Sequence, residues 1–234
     1  MIKEFEINID DDQIGLLYKK IELTRWPDEI NNEYWSHGTD MGFLKELSKY
    51  WINNFNWRTH ENKLNNIGSF KFKSKSGLGI HFLHAKSNKE NAIPLVMTHG
   101  WPGSVQEFIK IIPIIQEQSN RPIDIICPSL PGFGFSDKPK ELGMNSKKMA
   151  EIQHELIMAL GYKRYIVQGG DWGATISKWM AELFPDNCIG IHLNLVIAFP
   201  PKSENPMEGV TEKELKLLGH LEKYKAEGYG YFEI

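Results

Sequence analysis

A glycine-rich turn around Asp171 constrains the fold of this chain more than any other stretch. Residues 165–168 form a short apolar run with β-branched side chains, which is typical of a buried strand. Residues 174–184 carry apolar side chains at helical spacing and precede a proline, which indicates a helix that ends there. Asp171 is therefore predicted to lie on a sharp turn between strand and helix, where Gly169 and Gly173 let the backbone fold tightly.

An aspartate on such a turn has two interpretations. Its carboxylate can point out of the sheet beside the free N–H groups of the following helix, which keep it ionised and leave a donor for an oxyanion. Asp171 would then be a nucleophile. Aspartate is also a good N-cap, and glycine-rich turns between strand and helix occur in many α/β proteins. The choice between the two depends on the rest of the chain.

Downstream of residue 67, strands alternate with helices. A hairpin is predicted around residues 76–79, because apolar and polar residues alternate on both sides of a glycine-rich turn. The alternation predicts an α/β protein with a doubly wound, mostly parallel sheet and right-handed crossovers. The expected strands are 94–98, 123–128, 165–169 and 188–199, and the expected helices are 105–115, 149–160 and 174–184.

Three loops rich in glycine follow three of these strands, at 99–104, 129–136 and 169–173. Ligands of parallel sheets bind beyond the carboxyl ends of the strands. Three such loops on one rim favour the functional interpretation of Asp171.

The first 66 residues are predicted to form a mostly helical arm. A strand is expected at 5–9, helices at 13–23 and 41–54, and a further helical turn at 61–64. The aromatic residues of the arm could line a ligand site, but packing against another surface is the better interpretation, because aromatics bury large areas. The face expected to point into a core comprises Phe43, Leu44, Leu47, Tyr50 and Trp51.

The composition excludes several classes of protein. The chain is 41% apolar and 24% charged with a net charge of −3, which argues against nucleic acid or an anionic membrane as a partner. Cys127 and Cys188 lie in apolar runs and are expected to be reduced. No signal peptide or run of transmembrane length is recognised, so a cytoplasmic protein without a membrane anchor is expected. No oligomeric state is predicted.

Several motifs together resemble the epoxide hydrolases of the microsomal type, including the juvenile-hormone branch. They are Leu-Thr-Arg-Trp-Pro-Asp at 23–28, His-Gly-Trp-Pro-Gly-Ser at 99–104 and Gly-Gly-Asp-Trp-Gly at 169–173. The resemblance implies the α/β-hydrolase fold with an N-terminal helical arm and the beginning of a helical cap. The implied domains are the arm at 1–66, the N-terminal portion of the core at 67–203 and the start of the cap at 204–234.

The resemblance also implies a mechanism with a covalent ester. Asp171 would attack an apolar epoxide, water would then hydrolyse the ester to a diol, and no cofactor or metal would be needed. The backbone N–H groups of Trp101 and Trp172 would form the oxyanion hole. Tyr231, or Tyr229 as the alternative, would be a cap tyrosine that donates a proton. The supporting motif residues are His99, given a structural role, and Gly100, Pro102, Gly169, Gly170 and Gly173.

The chain departs from the family after Asp171. A base is expected after the nucleophile in this order of residues, but only His192 and His220 follow it. His192 is expected to be packed in or beside the sheet, and His220 to be solvated on a charged helix. No base or orienting acid is assigned, so the chain is interpreted as a fragment of a longer enzyme, able at most to form the ester.

The alternatives to an epoxide hydrolase are a haloalkane dehalogenase, an esterase and a non-catalytic binding module. A haloalkane dehalogenase shares the Asp-Trp pair at 171–172, but Trp101 followed by Pro102 is typical of the epoxide branch. An esterase would need serine in place of Asp171. A non-catalytic module that binds apolar ligands fits the missing base, whereas the intact nucleophile loop favours an enzyme.

Overall fold

A computed structural model of the chain describes residues 1–30, 34–198 and 202–230. Its backbone contacts divide it into two compact units, Met1–Val196 and Ile197–Ile234. The larger unit contains the sheet and the helices around it. The smaller unit contains one long helix, Glu212–Glu227, whose N-terminus is closed by a capping box between Thr211 and Glu214.

Seven strands of the larger unit form one mixed sheet, in the order β1-β2-β3-β5-β4-β6-β7. The pairs β1–β2, β2–β3 and β3–β5 are antiparallel, and β5, β4, β6 and β7 are parallel. The predicted α/β class with a mostly parallel sheet and an N-terminal hairpin is therefore confirmed. The strands are β1 (Ile2–Glu4), β2 (Ser69–Lys73), β3 (Gly79–Ala85), β4 (Ile93–Thr98), β5 (Ile123–Pro128), β6 (Tyr165–Gly169) and β7 (Cys188–Leu193).

Helices pack on the sheet and extend into the arm. The helices are α1 (Asp11–Glu22), α2 (Met41–Asn53), α3 (Trp57–Ile67), α4 (Ile111–Gln118), α5 (Ser146–Ala159), α6 (Trp172–Leu183) and α7 (Glu212–Glu227), with 3₁₀ turns at Tyr34–His37 and Val105–Phe108.

The helix predicted at 105–115 is wrong in one respect, because the structure breaks it into a 3₁₀ turn and α4. Pro113 is the third residue of α4. A proline has no N–H to donate and is tolerated only in the first turn of a helix, so the helix has to begin again just before it. The strand predicted at 188–199 is also shorter, and ends at Leu193. Phe199 itself lies outside the described residues.

The inner parallel strands, β5, β4 and β6, are largely buried on both faces. In β5, Ile126 belongs to one apolar cluster, with Phe82, Val96 and Leu156, whereas its neighbours in the strand belong to the other. Side chains of a strand alternate between its faces, so each strand contributes to two cores. The free thiol of Cys127 lies in the second core and is fully buried.

The arm holds the first residues of the chain through side chains of α3. The strand predicted at 5–9 is wrong, because the strand is β1 at Ile2–Glu4. Asn65 instead clamps Ile7: the Ile7 N–H donates to Asn65 Oδ1 and the Asn65 amide donates to Ile7 O, both at 2.9 Å. The backbone polar groups of this extended segment are thus satisfied by side chains.

Glu61, one turn before Asn65 in α3, holds the same segment. The Ile9 N–H donates to Glu61 at 2.8 Å, the Trp57 indole at 2.9 Å and the Arg58 guanidinium at 2.6 Å. Burial raises the pKa of Glu61, but these hydrogen bonds outweigh it and hold the pKa below its usual value. The helical turn predicted at 61–64 is part of α3, which begins at Trp57 because Asn56 caps it by accepting from the Thr59 N–H.

The predicted core face of α2 is largely exposed. Leu44 is half-buried, but Phe43, Leu47, Tyr50 and Trp51 have exposed fractions of 43–55%. Of the other arm aromatics, Trp35 is exposed and Trp57 is half-buried. Helical spacing predicts an apolar face correctly, but it does not say whether another element covers that face.

We expect the Asn65 clamp to stabilise the arm. Asn65→Ala removes two hydrogen bonds and should lower the free energy of unfolding by about 1–3 kcal/mol in urea denaturation. Asn66→Ala is the matched control, since Asn66 is the exposed neighbour on the same helix and makes no side-chain hydrogen bond among the described residues. Equal stability of the two variants would contradict the clamp.

Candidate active site

The ends of three parallel strands are aligned at one rim of the sheet. Thr98 of β4 pairs with Gly169 of β6, and Gly169 pairs with Leu193 of β7. The loops that follow β4 and β6 therefore begin at the same level. This register brings the turn at Asp171 beside the loop that starts at His99.

Asp171 adopts a backbone conformation that is unusual for its residue type. Its φ is 50° and its ψ is −129°, between the end of β6 and the first residue of α6. Residues with a side chain rarely adopt positive φ, and such strain persists only where the surroundings impose it. Asp171 makes no capping hydrogen bond to α6. The interpretation of Asp171 as a simple N-cap is thus not supported.

Close backbone contacts impose this conformation. A Cβ at Gly173 would overlap the carbonyl oxygen of Thr98 and come within 2.8 Å of the carbonyl oxygen of His99. A Cβ at Gly169 would overlap the carbonyl of Gly173 and lie 2.6 Å from Ser177 Oγ. Only glycine fits at these two positions, so α6 can begin directly against the end of β4.

Only one oxygen of the Asp171 carboxylate accepts a hydrogen bond from the described residues. The Trp101 N–H donates to Asp171 Oδ1 at 2.8 Å, and Oδ2 has no hydrogen bond among the described residues. A Cβ at Gly100 would overlap the Asp171 side chain, so this approach also requires glycine. The peptide bond that follows, between Trp101 and Pro102, is cis. The two carboxylate oxygens thus differ in their hydrogen bonding.

His99 is buried below this loop and bonds only to backbone. Its Nδ1 donates to Gly100 O at 2.9 Å, and its Nε2 accepts from the Leu130 N–H at 3.1 Å. This pattern requires a neutral ring protonated on Nδ1. Burial lowers the pKa of His99, against the hydrogen bond to Gly100, which favours the protonated form. The arrangement suits a residue that shapes the loop, the role predicted for His99.

A second buried histidine anchors the loop at 129–136. His81 of β3 lies between two hydroxyl groups, with Nδ1 at 2.8 Å from Ser129 Oγ and Nε2 at 3.1 Å from Ser69 Oγ. The Ser136 hydroxyl accepts from the His81 N–H and donates to Ser129 O. No local sequence pattern predicts this network, because its members are far apart in the chain.

The oxyanion candidates lie at the surface of the described structure. Trp101 and Trp172 are each 56% exposed. Trp172 is the first residue of α6, where backbone N–H groups have no acceptor within the helix. Next to this turn, the Asn194 amide lies against Gly170, where a Cβ would come within 2.5 Å of Asn194 Oδ1. Sequence reasoning missed Asn194, which no motif marks.

The remaining candidates lie outside the described residues, in the smaller unit or in β7. Tyr231 lies outside them, and Tyr229 belongs to the smaller unit, where its ring is 6.3 Å from that of Tyr224. His192 lies in β7 opposite Gln168 and is exposed, so the expected packing is wrong. β7 is the edge strand of the sheet among the described residues, and α6 packs against it. His220 is exposed on α7.

Residues 1–30, 34–198 and 202–230 contain neither a metal-binding group of side chains nor a membrane-spanning helix. No group of three or more His, Cys, Asp or Glu side chains is arranged to hold a metal ion. No helix in these ranges has the length and apolar character needed to cross a membrane.

The contact between Gly173 and Thr98 can be tested directly. Gly173→Ala places a methyl group against a backbone oxygen that cannot move independently, and should lower the free energy of unfolding by about 2–3 kcal/mol or more. Gly15→Ala in α1 is the control, since its Cβ would meet no atom within 4 Å. That change should stabilise the helix by about 0.5–1 kcal/mol. Urea unfolding of both variants measures the difference, and similar stabilities would contradict the contact.

His81 should make stability depend on pH. Burial and the charge of Lys71 lower the pKa of His81 to about 4. Between pH 6.5 and 4 the unfolded state therefore binds a proton that the folded state excludes, so stability falls as the pH falls. From pH 7 to pH 5 this residue should contribute a loss of about 2 kcal/mol. His81→Gln should reduce the difference in unfolding free energy between the two pH values, and an unchanged difference would refute the assignment.

Comparisons with known proteins agree with this geometry. Residues 2–108 match the family profile described as "Epoxide hydrolase N terminus", and residues 93–211, half of the chain, match "alpha/beta hydrolase fold". "Epoxide hydrolase 1" of Sus scrofa is 35% identical over 241 residues, covering 95% of this chain and 53% of that protein. The chain spans about half the length of the curated relatives it matches.

Two solved structures of epoxide hydrolases are also similar. The juvenile hormone epoxide hydrolase of the silkworm Bombyx mori has a TM-score of 0.78 and 36% identity, over 83% of this chain and 53% of that one. The Aspergillus niger epoxide hydrolase has a TM-score of 0.81 and 28% identity, over 99% of this chain and 62% of that one. These matches confirm the predicted resemblance. The chain therefore belongs to the α/β-hydrolase fold family, and its residues 2–108 match the N-terminal region described for epoxide hydrolases.

Proposed function

We propose that this chain carries the nucleophilic part of an epoxide hydrolase, with Asp171 as the nucleophile. The observation that carries the proposal is the asymmetry of the Asp171 carboxylate, in which Oδ1 accepts from the Trp101 N–H at 2.8 Å and Oδ2 is free. The matches to epoxide hydrolases over nearly the whole chain support the choice of reaction. An apolar epoxide is the substrate class, in keeping with the exposed indoles of Trp101 and Trp172.

In the first step, Asp171 Oδ2 attacks a carbon of the epoxide ring. The new bond joins Oδ2 to that carbon, the ring C–O bond breaks, and its electron pair stays on the epoxide oxygen as an alkoxide. A proton donor converts the alkoxide to a hydroxyl group. We assign this role to Tyr231, and Tyr229 is the alternative.

In the second step, water adds to Cγ of the ester and negative charge develops on Oδ1. The Trp101 N–H already contacts Oδ1 in the free protein, so it needs no reorganisation to stabilise this charge. We assign the second donor to the Trp172 N–H. The intermediate collapses when the bond between Cγ and Oδ2 breaks, which releases the diol, and a base accepts the proton of the added water.

No residue of the chain is assigned as that base. His99 has both ring nitrogens bound to backbone groups, and His192 and His220 match no motif for the role. We therefore expect the ester to form and to persist in this chain, while turnover to the diol needs a base that the assigned residues do not provide.

The proposal predicts a stable covalent adduct. Incubation with styrene oxide should raise the intact mass by one molecule of styrene oxide, and peptide mapping should place the adduct on Asp171. Asp171→Asn is the matched control, because it keeps the shape of the side chain and removes the carboxylate nucleophile.

Each other outcome points to a different function. Diol release with turnover would refute the missing base. Chloride release from a chloroalkane, without reaction at styrene oxide, would indicate a dehalogenase. Absence of any adduct on folded protein would refute the proposed reaction for this chain and favour a binding module.

A further inference from the structure

A buried hydrogen bond joins the strand before the Trp101 loop to a helix. Thr98, the last residue of β4, donates its hydroxyl to Gln153 Oε1 of α5 at 2.9 Å. Thr98 is fully buried and Gln153 is 3% exposed. The two residues are 55 positions apart in the sequence, and the bond between them is shielded from solvent.

These buried polar groups are a poor choice for stability alone. Gln153 Nε2, and likewise Ser177 Oγ of α6, is buried and has no hydrogen-bond partner among the described residues. Buried polar atoms without partners destabilise a fold, and apolar side chains of the same shape would avoid that cost. Such exceptions to good packing concentrate where geometry serves a function.

Thr98 and Ser177 lie beside the two glycines that flank the turn at Asp171. Ser177 Oγ is the side-chain atom nearest to the position of a Cβ on Gly169, and the Thr98 carbonyl lies against Gly173. The end of β4 is therefore held from two sides, by the backbone of α6 at Gly173 and by the side chain of Gln153. Three residues beyond Thr98, the Trp101 N–H bonds to Asp171 Oδ1.

We propose that Gln153 is a positioning residue, which through Thr98 fixes the Trp101 N–H against Asp171 Oδ1. Without the tether, the end of β4 keeps its pairing with β6 but can shift slightly against α6, and the donor shifts with it. Misplacement of a reacting or stabilising group by a fraction of an ångström lowers a rate strongly. The catalytic consequence rests on the proposed function, whereas the geometric one does not.

Isosteric variants separate positioning from stability. Thr98→Val and Gln153→Met each remove the hydrogen bond and preserve the volume, and Thr98→Ser keeps the hydroxyl as the conservative control. We expect the first two to form the styrene oxide adduct about tenfold more slowly at saturating epoxide, with little change in the epoxide concentration that gives half the maximal rate. Thermal stability should fall as well, because each variant leaves one buried polar atom without its partner. Thr98→Ser should stay within about twofold of the unchanged chain.

A spectroscopic measurement tests the geometry without any reaction. Trp101 is the only tryptophan that follows a glycine, so ¹³C-carbonyl glycine with ¹⁵N-tryptophan selects the Trp101 amide alone in a carbonyl-correlated spectrum. Asp171→Ala gives the amide proton shift without the carboxylate acceptor. Thr98→Val and Gln153→Met should move the shift toward that value, and Thr98→Ser should not.

The two readouts have distinct failures. A Trp101 amide that stays at its original shift in both isosteric variants would overturn the proposal, and so would a moved amide with an unchanged rate of adduct formation. If the unchanged chain forms no adduct, the proposed function fails, but the amide shifts still decide whether Gln153 positions Trp101. Either isosteric variant suffices if the other does not fold.

Discussion

The site depends on the close approach of two backbones, the end of β4 and the first turn of α6. Gly173 lies so near the carbonyl oxygens of Thr98 and His99 that no side chain fits between them. This contact places the Trp101 loop beside Asp171 and imposes the positive φ of Asp171. Because neither backbone can retreat without breaking the pairing of β4 with β6, the geometry of the carboxylate is a property of the sheet itself.

Local patterns predicted most of the fold because they depend on short-range chemistry. The glycines around Asp171 predicted the turn, and alternating strands and helices predicted the sheet. Errors arose where a distant residue decides the outcome. Asn65 holds Ile7 in place of strand pairing, across 58 positions. Pro113 breaks a helix whose apolar spacing continues through it.

The candidate site was predictable in its residue types but not in its contacts. Asp171, Trp101 and Gly100 were predicted from motifs, and the structure brings them together. That one carboxylate oxygen is bonded and the other free follows only from coordinates. The links of Thr98 to Gln153 and of His81 to Ser129 join residues that no spacing rule connects. Side chains that support a site from behind are invisible to motif reasoning, since packing alone selects them.

The asymmetric carboxylate has a consequence for the fate of individual atoms. Under the proposed reaction, the oxygen that leaves with the diol is Oδ2 of the protein, and an oxygen of solvent water takes its place on Asp171. Oδ1, bonded to the Trp101 N–H, is never exchanged. Where a base completes the reaction, the first diol made by each molecule would therefore carry an atom installed during protein synthesis, and every later diol would carry one left by the preceding turnover. Each oxygen taken from solvent would thus reach the diol of the following turnover.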